Sequence, residues 1–200
     1  MTLPGFYPVL PDAAMITRLV PLGVKLVQLR FKGHADDIPA QIAASLAVCA
    51  RHGAQLVVND HWQAALDQGA DFIHLGQEDL DGADTAAIAR AGARLGISTH
   101  DRAELDRALT LRPDYIALGP IWPTLLKQMP WRPQGLEKLS RWKARIGDIP
   151  LVAIGGLTPS RLPDVFAAGA DVAAVVTDLV GALDPDQQTR LWIKATEIQR

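Results

Sequence analysis

The segment Val27-Gln28-Leu29-Arg30-Phe31-Lys32 alternates apolar and polar residues with the period of an extended strand. If Val27, Leu29 and Phe31 face one way, Gln28, Arg30 and Lys32 face the other, and two cations converge with an amide. Enclosed cations need an anionic partner, either an internal salt bridge or a bound phosphate. Acids follow at two later run ends, in Val57-Val58-Asn59-Asp60 and in Gly76-Gln77-Glu78-Asp79. Taken singly, each acid reads as a helix cap or a solvated loop residue. Brought together opposite two cations, Asp60 and Asp79 suit Mg2+ held by one or two carboxylates and completed by substrate phosphate oxygens.

Further polar residues close other apolar runs. Ser98 and His100 share a face if the strand ending Ser98-Thr99-His100 persists, and His74 has the same inward sense. A lone strand histidine is more often a satisfied core residue than a ligand, and His74 is read that way, while His100 could orient the turn into Asp101. Gly155-Gly156 before the start of a helix exposes backbone N–H groups where an anion is favoured, although any tight turn could need glycines. Residues 120–135 form the longest segment without a periodic pattern, which suits a lid or binding loop, or tryptophans covering an apolar edge.

Positioning these groups requires a repeating scaffold, and the chain supplies one. Short β-type runs at 6–10, 26–30, 56–59, 72–75, 94–98, 115–118, 151–154 and 172–176 alternate with helical patterns near 12–21, 37–52, 61–68, 84–92, 101–109, 136–145, 159–168 and 185–199. Asp101 with Glu104 has the spacing of a capping box, and Thr158-Pro159 and Asp184-Pro185 place a cap before a first-turn proline. Gly53, Gly69 and Gly169 fall where helices should stop. Eight βα units in 200 residues predict an α/β protein, a single (β/α)8 TIM barrel occupying residues 1–200 as one domain; a doubly wound open sheet is the alternative. The barrel predicts that chemistry sits at the carboxyl ends of the strands.

Composition narrows the partners. At 48% hydrophobic and 21% charged residues, the chain reads as globular rather than disordered. Twenty Lys and Arg against 22 Asp and Glu give a net charge of -2, leaving no basic field for nucleic acid or an anionic membrane. The single cysteine, Cys49, lies in an apolar run and excludes both a disulfide framework and a thiolate cluster. With no signal-like segment and no apolar run near membrane-spanning length, the expected location is the cytoplasm.

The ordered set of motifs resembles the thiamine-phosphate synthase (thiamine-phosphate pyrophosphorylase) family. It comprises Gln28 to Lys32, Asn59-Asp60, His74 to Asp79, Gly96 to His100, Asp114 to Thr124 with Lys127, Gln134-Gly135, Ile154 to Gly156, and Ala168 to Asp171 leading to Val176-Thr177. The resemblance implies a (β/α)8 transferase that joins hydroxymethylpyrimidine pyrophosphate to a thiazole phosphate, releasing pyrophosphate and forming thiamine phosphate. By the same implication, Asp60 and Asp79 hold Mg2+, and Gln28, Arg30, Lys32, Asn59, Ser98 and Lys127 bind the pyrimidine pyrophosphate. Arg30, Lys32, Ser98 and Lys127 would carry the catalysis, and Thr124, Gly156, Val176 and Thr177 would contact the thiazole phosphate. A homodimer is also implied. One departure stands out: a family hydroxyl is replaced at Leu126, a loss worth about 0.5–1.5 kcal/mol for one neutral hydrogen bond.

Two other readings compete. A related thiazole tautomerase would not need the metal and pyrophosphate apparatus, yet Asn59-Asp60 and Gly76 to Asp79 stand intact. A catalytically silent thiamine-phosphate binding protein would bind product without turnover, and would have little use for so much concentrated charge.

Overall fold

Parallel strands pair in sequence order, and the last returns to the first. The computed structural model describes residues 2–123 and 132–198. Strands β1 (Phe6–Leu10), β2 (Leu26–Leu29), β3 (Gln55–Asn59), β4 (Phe72–Leu75), β5 (Arg94–Thr99), β6 (Tyr115–Leu118), β7 (Leu151–Ile154) and β8 (Val172–Val175) form a closed parallel barrel, with β8 hydrogen-bonded to β1. The structure therefore has the predicted (β/α)8 architecture, and the open sheet is excluded.

Alternation along each strand divides the apolar residues into two cores. One set faces the helices, including Val27, Leu29, Val58, Ile73, Ile97 and Leu118. The other fills the barrel, including Tyr7, Val9, Leu26, Val57, Phe72, Tyr115, Val152 and Val172. The aromatic rings occupy more space than the branched aliphatics usual in such an interior, and Gly96 makes room for one of them. A Cβ there would lie 2.1 Å from the Tyr115 ring, across the β5–β6 register that pairs the two residues.

The enclosing helices are α1 (Ala13–Leu19), α2 (Ile38–His52), α3 (Trp62–Asp67), α4 (Thr85–Arg90), α5 (Arg102–Thr110), α6 (Gly135–Ile146), α7 (Leu162–Ala167), α8 (Thr177–Val180) and α9 (Pro185–Ile198). Gly53, Gly69 and Gly169 adopt positive φ just past α2, α3 and α7, as the stop signals predicted. Asp184 caps α9, its Oδ1 accepting from the Asp186 and Gln187 amides at 3.1 and 3.0 Å. Deeper in α9, Trp192 is fully buried, stacks on Phe6 with ring centroids 5.7 Å apart, and donates to Asp178 Oδ2 at 2.7 Å.

Several local expectations are corrected. β2 ends at Leu29, so Arg30 and Lys32 stand on the loop beyond it and are exposed rather than enclosed. The Asp101 carboxylate accepts from Glu104 N–H at 2.9 Å, but Glu104 reaches past Asp101 to the His100 N–H at 2.6 Å. Thr158 precedes a 3-10 turn, Pro159–Arg161, and its hydroxyl pairs with Ser160 rather than capping a backbone amide. The four-residue α8 was not anticipated; at barely one turn it is too short to show a repeating pattern in the sequence. Among the described residues, no helix is long and apolar enough to cross a membrane.

Candidate active site

The carboxyl ends of the strands open into a cleft of about 1150 Å³. Gln28, Arg30, Lys32, Asn59, Asp60, Asp79, Ser98, Gly156, Val176 and Thr177 all line it, so ten of the predicted site residues share one cavity. Thr124 and Lys127, with Leu126, lie outside the described residues.

At the β2–β4 side, charge is concentrated. Lys32 Nζ donates to Asp60 Oδ2 at 2.5 Å, so a salt bridge forms, but at the exposed rim of the cleft rather than inside the barrel as one alternative expected. Arg30 forms no ion pair with any described residue. Asp60 occupies the left-handed region at φ 64°, uncommon outside glycine, and its N–H bonds to the His74 carbonyl at 3.0 Å. The Asp60 and Asp79 carboxyls adjoin closely enough that each shifts the titration of the other. Burial would raise Asp60, but the hydrogen bond and charge of Lys32 outweigh it and hold the group below the usual carboxylate range. Burial and then the adjacent Asp60 charge push Asp79 above that range. Among the described residues, no three His, Cys, Asp or Glu side chains group into a metal site, so a cation here would take at most these two carboxylates and need oxygens from elsewhere.

The cleft floor carries a hydrogen-bonded chain that sequence reasoning missed. Gln28 Nε2 donates to the Tyr7 hydroxyl at 2.8 Å; Tyr7 and Tyr115 hydroxyls are 3.0 Å apart; Tyr115 Oη lies 2.7 Å from His74 Nδ1; and His74 Nε2 lies 2.8 Å from Ser98 Oγ. With the Gln28 nitrogen donating, every proton finds an acceptor if the direction runs Gln28 to Tyr7 to Tyr115 to His74 to Ser98. Ser98 then accepts from His74 and keeps its own proton for a ligand. Burial pushes the His74 imidazole down to about 4, against the pull of Asp60, so the ring is neutral as this direction requires. His74 is thus the satisfied core histidine predicted, although it also touches the cleft. Burial likewise raises both tyrosine hydroxyls, which stay protonated. The missed signal was period-two alternation in β1 and β6, with Gly96 opposite Tyr115.

His100 Nδ1 pairs with Glu104 Oε2 at 2.8 Å, so the residue does fix the turn into α5. Cys49 is a buried thiol pushed up to about 11 by desolvation, and it is remote from the cleft. Gly155 and Gly156 have φ of 94° and 68°, and a Cβ on Gly156 would meet Trp122 Cβ at 2.7 Å and Pro123 O at 2.8 Å. Their immediate cause is therefore the close approach of residues 120–123, and the 3-10 turn that follows is a weaker dipole than the helix start expected there.

A cleft of this size, lined by converging charged and polar groups at the carboxyl mouth of a closed eight-stranded α/β barrel, is where enzymes of this fold do their chemistry, which defines the protein as a barrel enzyme. Comparison with known proteins gives the family. A model described as thiamine monophosphate synthase matches residues 9–179. The thiamine-phosphate synthase of Rhizobium etli is 55% identical over 197 residues, covering 98% of this chain and 97% of that protein. That of an Enterobacter species is 48% identical over 181 residues, covering 90% and 86%. The solved thiamine phosphate pyrophosphorylase of Pyrococcus furiosus superposes with a TM-score of 0.85 at 24% identity, covering 98% of this chain and 96% of that one, a likeness of fold. The chain belongs to the thiamine monophosphate synthase family. It is an enzyme, a transferase with thiamine-phosphate synthase function.

Proposed function

We propose that the cleft joins hydroxymethylpyrimidine pyrophosphate to a thiazole phosphate, with Asp60 and Asp79 holding Mg2+ against the diphosphate. The observation that carries this reading is the Lys32–Asp60–Asp79 cluster: two adjoining carboxylates, one pushed up by burial and then by the charge of the other, beside an ammonium. Two hard oxygen donors fit Mg2+ better than softer metals. When bound, Mg2+ would supply positive charge to the leaving pyrophosphate.

The chain's own residues do the rest. In the reaction, the bond between the pyrimidine methylene and the diphosphate oxygen breaks, its electron pair leaves with pyrophosphate, and the thiazole nitrogen supplies the pair for the new carbon–nitrogen bond. Arg30, Lys32 and Lys127 stabilise charge on the leaving group. Gln28, Asn59 and Ser98 orient the pyrimidine, Ser98 through the proton that the floor chain leaves available. Thr124, Gly156, Val176 and Thr177 hold the thiazole phosphate so that its nitrogen is aligned for attack. No general base is required, in keeping with a neutral, fully bonded His74. We take residues 1–200 as one domain, working in the cytoplasm on small molecules, as a homodimer.

The test is to incubate purified protein with both substrates and Mg2+ and to measure thiamine phosphate. Product that depends on Mg2+ supports the reading. Absence of product, with or without a carboxylated thiazole, rejects it, and product binding without turnover would favour the silent binding protein.

A further inference from the structure

Cations are unevenly placed around the cleft. Its described arginines and lysines are Arg30 and Lys32, beyond β2, and Arg161, beyond β7. In the closed strand order, β7 lies across the barrel from β3, whose Asp60 engages Lys32. The two substrates of the proposed reaction each bring phosphate, yet the residues assigned to the second one, Thr124, Gly156, Val176 and Thr177, include no cation.

Arg161 is half-buried and held at two points. One terminal nitrogen donates to the carbonyl of Gly156, and its guanidinium carbon lies 4.8 Å above the centre of the Trp122 ring. It forms no ion pair with any described residue. Two acids that line the same cleft are otherwise engaged: Asp178 Oδ2 accepts from Gln188 and Trp192 at 2.6 and 2.7 Å, and Asp184 Oδ1 caps α9. A guanidinium carries five N–H donors in a rigid fork suited to phosphate, and the backbone takes few of them. Partial desolvation of such a cation without a counter-ion is unfavourable unless a ligand supplies one.

We propose that Arg161 is a specificity-determining residue for the second substrate, its guanidinium binding the phosphate of the thiazole partner beside Gly156. This rests on the proposed function and deepens it. Stacking on Trp122 and bonding to Gly156 orient the fork in advance, so little side-chain entropy remains to be lost on binding.

The experiment combines a change in the protein with a change in the ligand. Wild type, Arg161→Gln and Arg161→Lys are titrated calorimetrically with thiazole phosphate and with the corresponding thiazole alcohol, and KM values are measured in the full reaction. Arg161→Gln should weaken thiazole phosphate roughly 10- to 100-fold, the loss of one charge-assisted hydrogen bond, and leave the alcohol unchanged. KM for the pyrimidine pyrophosphate should stay within about twofold, since its site lies across the barrel. Arg161→Lys should fall between, and it carries the test alone if the glutamine variant does not fold. Equal losses for phosphate and alcohol would show that Arg161 only braces the wall, and unchanged phosphate affinity would overturn the proposal outright. Wild type that makes no thiamine phosphate fails the proposed function, whereas active wild type with an indifferent Arg161 fails this inference alone.

Discussion

Tyr115→Phe deletes one oxygen from the middle of the floor chain and leaves packing volume nearly unchanged. That oxygen accepts from Tyr7 at 3.0 Å and donates to His74 Nδ1 at 2.7 Å. Its removal leaves the Tyr7 proton without an acceptor and the His74 nitrogen without a donor, at residues 1% and 7% exposed. Each buried orphan costs about 1–3 kcal/mol, which bounds the loss at roughly 2–6 kcal/mol. Both groups line the cleft, so entering water can satisfy part of the deficit, and about 2–3 kcal/mol is expected. For a chain of this length that corresponds to a fall in Tm of roughly 4–12 °C. Tyr7→Phe is the control. It orphans only the Gln28 amide, since Tyr115 still donates to His74, and should cost about half as much. Urea unfolding followed by circular dichroism gives both values, with equal m-values confirming a common unfolded reference. A Tyr115→Phe protein as stable as Tyr7→Phe, or more stable, refutes the directed chain.

Burial places the folded pKa of His74 below its unfolded value, so the stability contributed by the neutral ring is complete above pH 6.5 and lost as pH falls towards about 4. The loss amounts to about 3 kcal/mol, and His74→Gln should flatten that part of the stability–pH curve in urea titrations. Asp79→Asn should abolish most turnover and its Mg2+ dependence without lowering the Tm of metal-free protein, because it relieves repulsion with Asp60. Asp60→Asn should abolish turnover equally and lower the Tm only slightly, since the exposed Lys32 ammonium it unpairs stays solvated and such a pair is worth about 0–1 kcal/mol; an unchanged rate-against-Mg2+ curve in either variant would mean that the metal site is misplaced. Trp192→Ala should cost about 3–5 kcal/mol by urea unfolding, from the lost ring volume against Phe6 and the lost bond to Asp178.

The barrel was legible because each βα unit announces itself with local chemistry. Runs such as Phe72 to Leu75 and Leu151 to Ile154 become strands without a residue's difference, bounded by turn formers on both sides. Closure was legible only by counting, since nothing local in β8 says that it pairs with β1; eight units simply leave no other partner for two exposed edges. What escaped were features barely one helical turn long, such as α8, or set by competition among neighbouring polar groups. Glu104 has the spacing of a capping-box residue, yet the His100 ring, anchored at the cleft mouth, captures it first.

The candidate site divides along the same line. Gln28, Arg30, Lys32, Asp60 and Asp79 were readable because polar and charged groups at strand ends contradict the packing rule for a barrel interior, and a contradiction is visible in one sequence. Tyr7 and Tyr115 obey the rule: apolar enough to be core, they conceal hydroxyls whose purpose appears only when strands 108 residues apart meet. Arg161 was hidden for the opposite reason, because an arginine on a surface turn looks ordinary until Trp122 and Gly156 hold it at the cleft wall. The sequence therefore reveals charge that is out of place, and the fold is needed to reveal polarity that sits in its expected place with an unexpected partner. By that criterion, the residues that tune this site further should be sought among tyrosines of the floor and arginines of the rim.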